Sequence, residues 1–294
     1  MKLIYVLVLS IAAFVGVPFG QSKSAAAKNP FPAAMETFQI PSHGVGLNAL
    51  VYIAEGAGPH PVVVLLHGFP GNERNLDLAQ DIRRAGWDVL YFNYRGSWGT
   101  LGDFSFSHGI EDVAAAVAYL RRPEMVKSLR LDPKRVVVIG HSMGGFMAVQ
   151  AAAADPTVLA AGLISAADNG GFVPSPLPAD GGAAFVKRLA AGLENEGMAP
   201  LAGCTPEGLA REVLDNASHW KFASKVDALR TRPVLIITSD DGLAPMNDAF
   251  ASALTKAGNT RVTATHFSSD HSYSDRRLEL SDTVRKWLQS VASK

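Results

Sequence analysis

The sequence predicts an α/β protein built on a mainly parallel central sheet flanked by helices. Three observations carry that prediction. Short runs rich in β-branched residues (Pro61–Leu66, Val136–Ile139, Val158–Ser165, Pro233–Thr238) have the length and composition of buried strands. Helical patterns separate them, and this alternation is the signature of parallel strands joined by crossover helices. The chain has 294 residues, 48% of them hydrophobic, enough for one sizeable core in a single domain.

Taken in order, the chain opens with Lys2 and an apolar run from Leu3 to Val17, then Pro18-Phe19-Gly20-Gln21. A positive start, a short apolar stretch and a small residue predict a signal peptide over 1–20, cleaved after Gly20, with Ala25–Ala27 as a second cleavage point. The alternative, an uncleaved anchor, needs a longer apolar run to span a bilayer. Cys204 is the only cysteine, so no intramolecular disulfide is available and no lipid-accepting cysteine follows the apolar run. A secreted or periplasmic location in a bacterium is the expectation. With 27 basic and 27 acidic residues, the net charge is zero and no basic patch points to nucleic acid or to stable membrane association after cleavage.

Residues 21–35 are Ala/Pro-rich and polar and predict a flexible linker ahead of a domain over 36–294. Strands are expected at Glu36–Ile40 and Leu47–Ala54. The Gly44-x-Gly46-x-x-Ala49 between them mimics a dinucleotide fingerprint, but it leads into a strand and reads as a hairpin turn. Pro61–Leu66 ends in His67-Gly68-Phe69-Pro70-Gly71. Helix Asn75–Ala85, strand Trp87–Asn93, a Gly-rich loop and helix His108–Arg121 follow. Later segments are helices at Pro245–Lys256 and Ser274–Ser290, with a strand at Arg261–Phe267. The exception is 171–231, which lacks a convincing strand. Phe185, Val186, Leu189 and Leu193 have helical spacing there, and Thr205-Pro206 opens a second helix, so a helical cap insertion is expected.

The chemistry centres on Val136–Ile139 running into Gly140-His141-Ser142-Met143-Gly144-Gly145, with an Ala-rich helix to Ala154 behind it. Strand, G-x-S-x-G turn and helix make the context of a nucleophile elbow. A serine hydroxyl needs a base, and the base needs a carboxylate to hold its tautomer. Two later loops supply them at strand ends: Ser239-Asp240-Asp241-Gly242-Leu243-Ala244-Pro245 and Ser268-Ser269-Asp270-His271. Asp240 competes with Asp241 for the acid, and His266 with His271 for the base. His266, Asp270 and His271 match no common metal-ligand spacing. His67 and His141 are expected to brace their turns. Arg95, Trp98, Asp103 and Phe106 either line a pocket or pack a loop around one ion pair.

These motifs, in this order, resemble the α/β-hydrolase superfamily over about residues 36–290. The resemblance implies Ser142 as nucleophile, His271 as base, Asp241 as orienting acid, and the backbone N–H groups of Phe69 and Met143 as an oxyanion hole. It implies no metal and no organic cofactor. A serine at the elbow differs from the aspartate of dehalogenase and epoxide-hydrolase relatives. The implied activity is a serine hydrolase of the carboxylesterase type acting on small-molecule esters. The chain also resembles the catalytic part of prolyl-oligopeptidase-like enzymes, without room for their propeller, so a peptidase or amidase acting on short peptides is the alternative. A hydrolase fold kept as a non-catalytic binding protein is a third reading. Natural substrate, acyl-chain length and oligomeric state are not encoded in these motifs.

Overall fold

The strands are built where β-branched residues run together. A computed structural model describes residues 29–292. The expected signal peptide and residues 21–28 of the expected linker lie outside the described residues. The described residues from Phe31 onward form one compact unit.

Eight strands, β1 (Ala34–Ser42), β2 (Val45–Ile53), β3 (His60–Leu66), β4 (Asp88–Phe92), β5 (Leu131–His141), β6 (Ala160–Ile164), β7 (Val234–Thr238) and β8 (Val262–His266), form one sheet in the order β1-β2-β4-β3-β5-β6-β7-β8. The pairs from β4 to β8 are parallel, while β1–β2 and β2–β4 are antiparallel. β1 begins at Ala34, so the end of the expected linker already belongs to the sheet. Ser42 pairs with Val45 across His43 and Gly44, both at positive φ. That two-residue turn is a type I′ hairpin, which disposes of the dinucleotide motif.

The helices are α1 (Leu76–Arg84), α2 (Phe106–Leu120), α3 (Pro123–Leu129), α4 (Met143–Ala154), α5 (Ala183–Asn195), α6 (Pro206–Trp220), α7 (Val226–Leu229), α8 (Ala244–Lys256) and α9 (Arg277–Ala292). The pleat alternates side chains between two cores. Val62, Val64 and Leu66 face Phe146, Met147 and the α2, α8 and cap side chains. Val63 and Leu65 face Leu78 and Ile82 of α1 and Val284 and Trp287 of α9. Every residue of β3, β4, β6 and β7 is buried, whereas β1 and β8 are exposed edges.

The insertion is helical as expected. Thr205 caps α6, accepting from the Gly208 N–H at 3.0 Å with Pro206 in the first turn. Asp168 ties the insertion to the sheet layer. Its buried carboxylate accepts the Gly171 N–H at 2.9 Å and the Phe222 N–H at 3.2 Å, one at each end of the excursion. Among the described residues no helix is long and apolar enough to cross a membrane.

Candidate active site

The parallel strands deliver the predicted residues to one edge of the sheet. Phe69 follows β3, Ser142 follows β5, Asp241 follows β7 and His271 follows β8, all at carboxyl ends, where open α/β sheets form their ligand crevices. Ser142 sits between β5 and α4 at φ 57°, ψ −122°, a conformation non-glycine residues avoid. The turn is clamped from several sides. The Ser142 N–H bonds to the Ile164 carbonyl at 2.9 Å, and its own carbonyl accepts from Gly145 at 2.9 Å and Ala167 at 3.0 Å. Glycine is required around it because the backbone closes on itself. A Cβ on Gly140 would lie inside the contact radius of the Gly144 carbonyl oxygen, and one on Gly144 inside that of Leu66.

His271 Nδ1 and Asp241 Oδ2 are 2.7 Å apart. A carboxylate only accepts, so the proton lies on Nδ1 and the Nε2 lone pair is left free to act as a base. Asp241 has a side chain 4% exposed. Burial by itself raises the Asp241 carboxyl, but hydrogen bonds from His271, Ser165, the Leu243 N–H and Ser239 outweigh it and hold the group well below the usual carboxylate range. Ser165 in turn bonds Ser239 at 3.1 Å and the buried Tyr273 hydroxyl at 2.8 Å.

The competing residues have other partners. Asp240, 58% exposed, accepts from Ser268 at 2.6 Å and pairs with His266 at 3.1 Å. His266 also bonds Thr238 Oγ1 at 2.9 Å, so this pair dresses the β8 edge. Asp270 accepts the Ser274 N–H at 2.8 Å. Among the described residues no group of three His, Cys, Asp or Glu side chains is placed to hold a metal ion.

The two bracing histidines are buried and neutral. His67 Nδ1–H donates to the Gly68 carbonyl at 2.8 Å, and burial pushes its pKa down to about 4. His141 Nε2–H donates to the His271 carbonyl at 2.8 Å, and its ring lies 4.6 Å from the His271 ring. Burial, then the neighbouring His271, lowers its pKa to about 4 as well. Of the loop residues, Phe106 lines the cavity at Ser142. Trp98 donates to the Pro70 carbonyl at 2.8 Å and supports the turn after β3. Arg95 pairs with Asp112 at 2.7 Å, not with Asp103.

Ser142, Met143, Phe69, Asp241 and His271 line one cavity of about 360 Å³, roofed by Phe172, Leu189, Leu193 and Val213 of the insertion. Met143 opens α4, so its N–H has no partner within the helix, and the helix dipole favours negative charge beside Ser142. A larger groove of about 900 Å³ runs along α5 and α6 and contains none of these residues. Sequence reading missed Ser165, Ser239 and Tyr273, which support Asp241, and Glu196 at the end of α5, which lines the cavity beside His271. Only position offered a signal: Ser165 ends the expected strand Val158–Ser165, and Ser239 follows directly on Pro233–Thr238.

Comparison with known proteins agrees with this architecture. The segment 63–283 matches the family model described as "Alpha/beta hydrolase family", well over half of the chain. Two curated relatives align over shorter segments. The quorum-quenching protein AidA of Acinetobacter baumannii is 31% identical over 133 residues, 43% of this chain and 42% of that protein. A 31.7 kDa protein from the traX-finO intergenic region of Escherichia coli is 32% identical over 123 residues, 40% of each. The chain thus spans about two fifths of the curated relatives it matches. Among solved structures, an esterase of the archaeon Pyrobaculum calidifontis superposes with a TM-score of 0.62 at 21% identity, covering 88% of this chain and 86% of that one. Est1E of Butyrivibrio proteoclasticus, solved with ferulic acid, does so at 0.65 and 19%, covering 87% and 100%. At these identities the superpositions establish the fold. The elbow, the order of the strands and the family match together show that this chain belongs to the alpha/beta hydrolase family.

Proposed function

We propose that the chain is an exported serine hydrolase that cleaves small-molecule carboxylic esters through an acyl-enzyme. The observation that carries this reading is the 2.7 Å His271–Asp241 hydrogen bond at the cavity that holds the strained Ser142. Ser142 Oγ attacks the acyl carbon while His271 Nε2 takes its proton. The N–H groups of Phe69 and Met143 hold the oxyanion, and removal of one such donor typically costs about 3–4 kcal/mol of transition-state stabilisation. Collapse breaks the ester C–O bond, and the alcohol leaves with the proton from His271. Water then attacks the acyl group with His271 again as base, returning the acid and free Ser142. Asp241 remains ionised and holds the imidazolium.

The solved esterases among the structural neighbours support ester chemistry on this fold. Export is supported by Lys2, the apolar run Leu3–Val17 and the small residue Gly20. Labelling with a fluorophosphonate tests the mechanism: wild-type protein should be modified at Ser142, and Ser142→Ala should not. A folded wild-type protein that resists labelling overturns the proposal, and equal turnover of matched anilides would make it an amidase. Cell fractionation tests export and N-terminal sequencing tests cleavage. Protein found only in the cytoplasm contradicts export, and Met1 retained on protein from the medium or periplasm contradicts cleavage after Gly20.

A further inference from the structure

Ser142 stands where two cavities meet. The first, about 360 Å³, is walled by Phe69, Phe106, Phe172, Leu189, Leu193 and Val213. The second, about 170 Å³, shares Ser142, Phe69 and His271 with the first and extends against Gly71, Asn72 and Glu73. Glu196 lines both. Neither cavity has a lysine or arginine in its lining, so its fixed charges are all carboxylates. Within the smaller cavity Glu73 is already engaged, since its Oε1 accepts the Asn75 N–H at 2.5 Å. No salt bridge or side-chain hydrogen bond among the described residues engages Glu196. Glu196 is exposed, and the wall on its cavity side still pushes its carboxyl above the ordinary value, with His271 pulling the other way. A carboxylate with no side-chain partner, beside two cavities that carry no cationic lysine or arginine, favours a cation.

We infer that the substrate is an ester of a compact apolar acyl group with a small cationic alcohol, the acyl part filling the larger cavity and the cationic part held by Glu196 in the smaller one. This rests on the serine-esterase reading above. The arrangement divides the labour by chemistry. Phe106, Phe172, Leu189, Leu193 and Val213 line only the larger cavity and suit an apolar acyl group, whereas Asn72 and Glu73 give the smaller one a polar wall for the alcohol. His271 lines both and returns the proton to the leaving oxygen between them. Glu196 is a specificity residue reaching the alcohol from α5, so the insertion sets substrate charge as well as acyl size.

The experiment compares choline and 3,3-dimethylbutyl esters of one aromatic acid, which share a shape and differ by one charge. The kcat/KM ratio, cationic over neutral, is measured for wild type, Glu196→Gln and Glu196→Asp. Wild type should prefer the choline ester by about tenfold, the size expected for one partly screened ion pair. The preference should vanish in Glu196→Gln, persist in Glu196→Asp and shrink as salt is added. A ratio near one in wild type, or a preference unchanged in Glu196→Gln, overturns this inference. Turnover of a neutral p-nitrophenyl ester that is lost in Ser142→Ala, measured alongside, isolates the failure to Glu196. Absence of that turnover overturns both readings.

Discussion

Replacing Asp241 by Asn should cost about a thousandfold in kcat/KM, whereas Asp240→Asn should cost less than about threefold. The two residues are neighbours of the same type, so only their surroundings separate them. Asp241 contacts His271 at 2.7 Å, which puts the charge centres of carboxylate and imidazolium about 4 Å apart. His271 is 41% exposed, so the effective dielectric is that of a site near the surface. At an effective dielectric of about 20 the pair is worth ~4 kcal/mol, and the imidazolium exists only after Ser142 has given up its proton. Nearly all of that energy therefore falls on the transition state, and ~4 kcal/mol corresponds to about three powers of ten. Asp240 faces solvent and holds His266, which the mechanism does not use. The assay is initial-rate kinetics on p-nitrophenyl acetate, with near-UV circular dichroism to show that each variant is folded. A folded Asp241→Asn enzyme with most of its activity, or a larger loss in Asp240→Asn, would refute the assignment of the acid.

Other perturbations reach the scaffold around that pair. Gly140→Ala drives a Cβ into the Gly144 carbonyl and should destabilise by more than about 4 kcal/mol, read as a lost or strongly lowered urea midpoint. His67 and His141 have folded pKa values lowered to about 4, so below the ordinary histidine value of 6.5 the unfolded chain binds more protons than the native one. Stability should be flat above neutral pH and fall as pH drops, by about 2 kcal/mol per histidine at pH 5. Urea melts at pH 7.5 and 5 should show this, with His141→Gln removing roughly half of the loss. Unchanged midpoints would contradict it. Asp168→Ala leaves the Gly171 and Phe222 N–H groups without their acceptor and should cost about 1–3 kcal/mol. Because those groups anchor the insertion, KM should rise more than kcat falls; a pure kcat effect would place Asp168 elsewhere in the mechanism.

The sheet was legible in the sequence because its central strands are buried on both faces and so read as uninterrupted β-branched runs. The elbow was legible because its backbone geometry demands glycine at Gly140 and Gly144, which leaves a pattern in the chain. Helix α3 was not: it has seven residues, of which Leu129 alone is buried, too little for any periodicity. Asp240 and Asp241 are equivalent in composition and spacing. Burial and the Ser165–Tyr273 network tell them apart, and those contacts join segments 108 residues distant. The ion pair expected in the loop of Arg95 joins Arg95 to Asp112, which lies outside the loop in the first half of α2. Glu196 ends a helix among other charged residues, where sequence reads a solvated face, and only the closure of α5 over Ser142 gives it a role.

The most direct test is the initial rate of protein beginning at Gln21 on p-nitrophenyl esters from acetate to palmitate, with Ser142→Ala measured in parallel. The account predicts turnover that the substitution abolishes, with an optimum among the short acyl chains that the cavity under α5 and α6 can enclose. Turnover surviving in Ser142→Ala, or a folded wild-type protein inactive across the whole series, would contradict it.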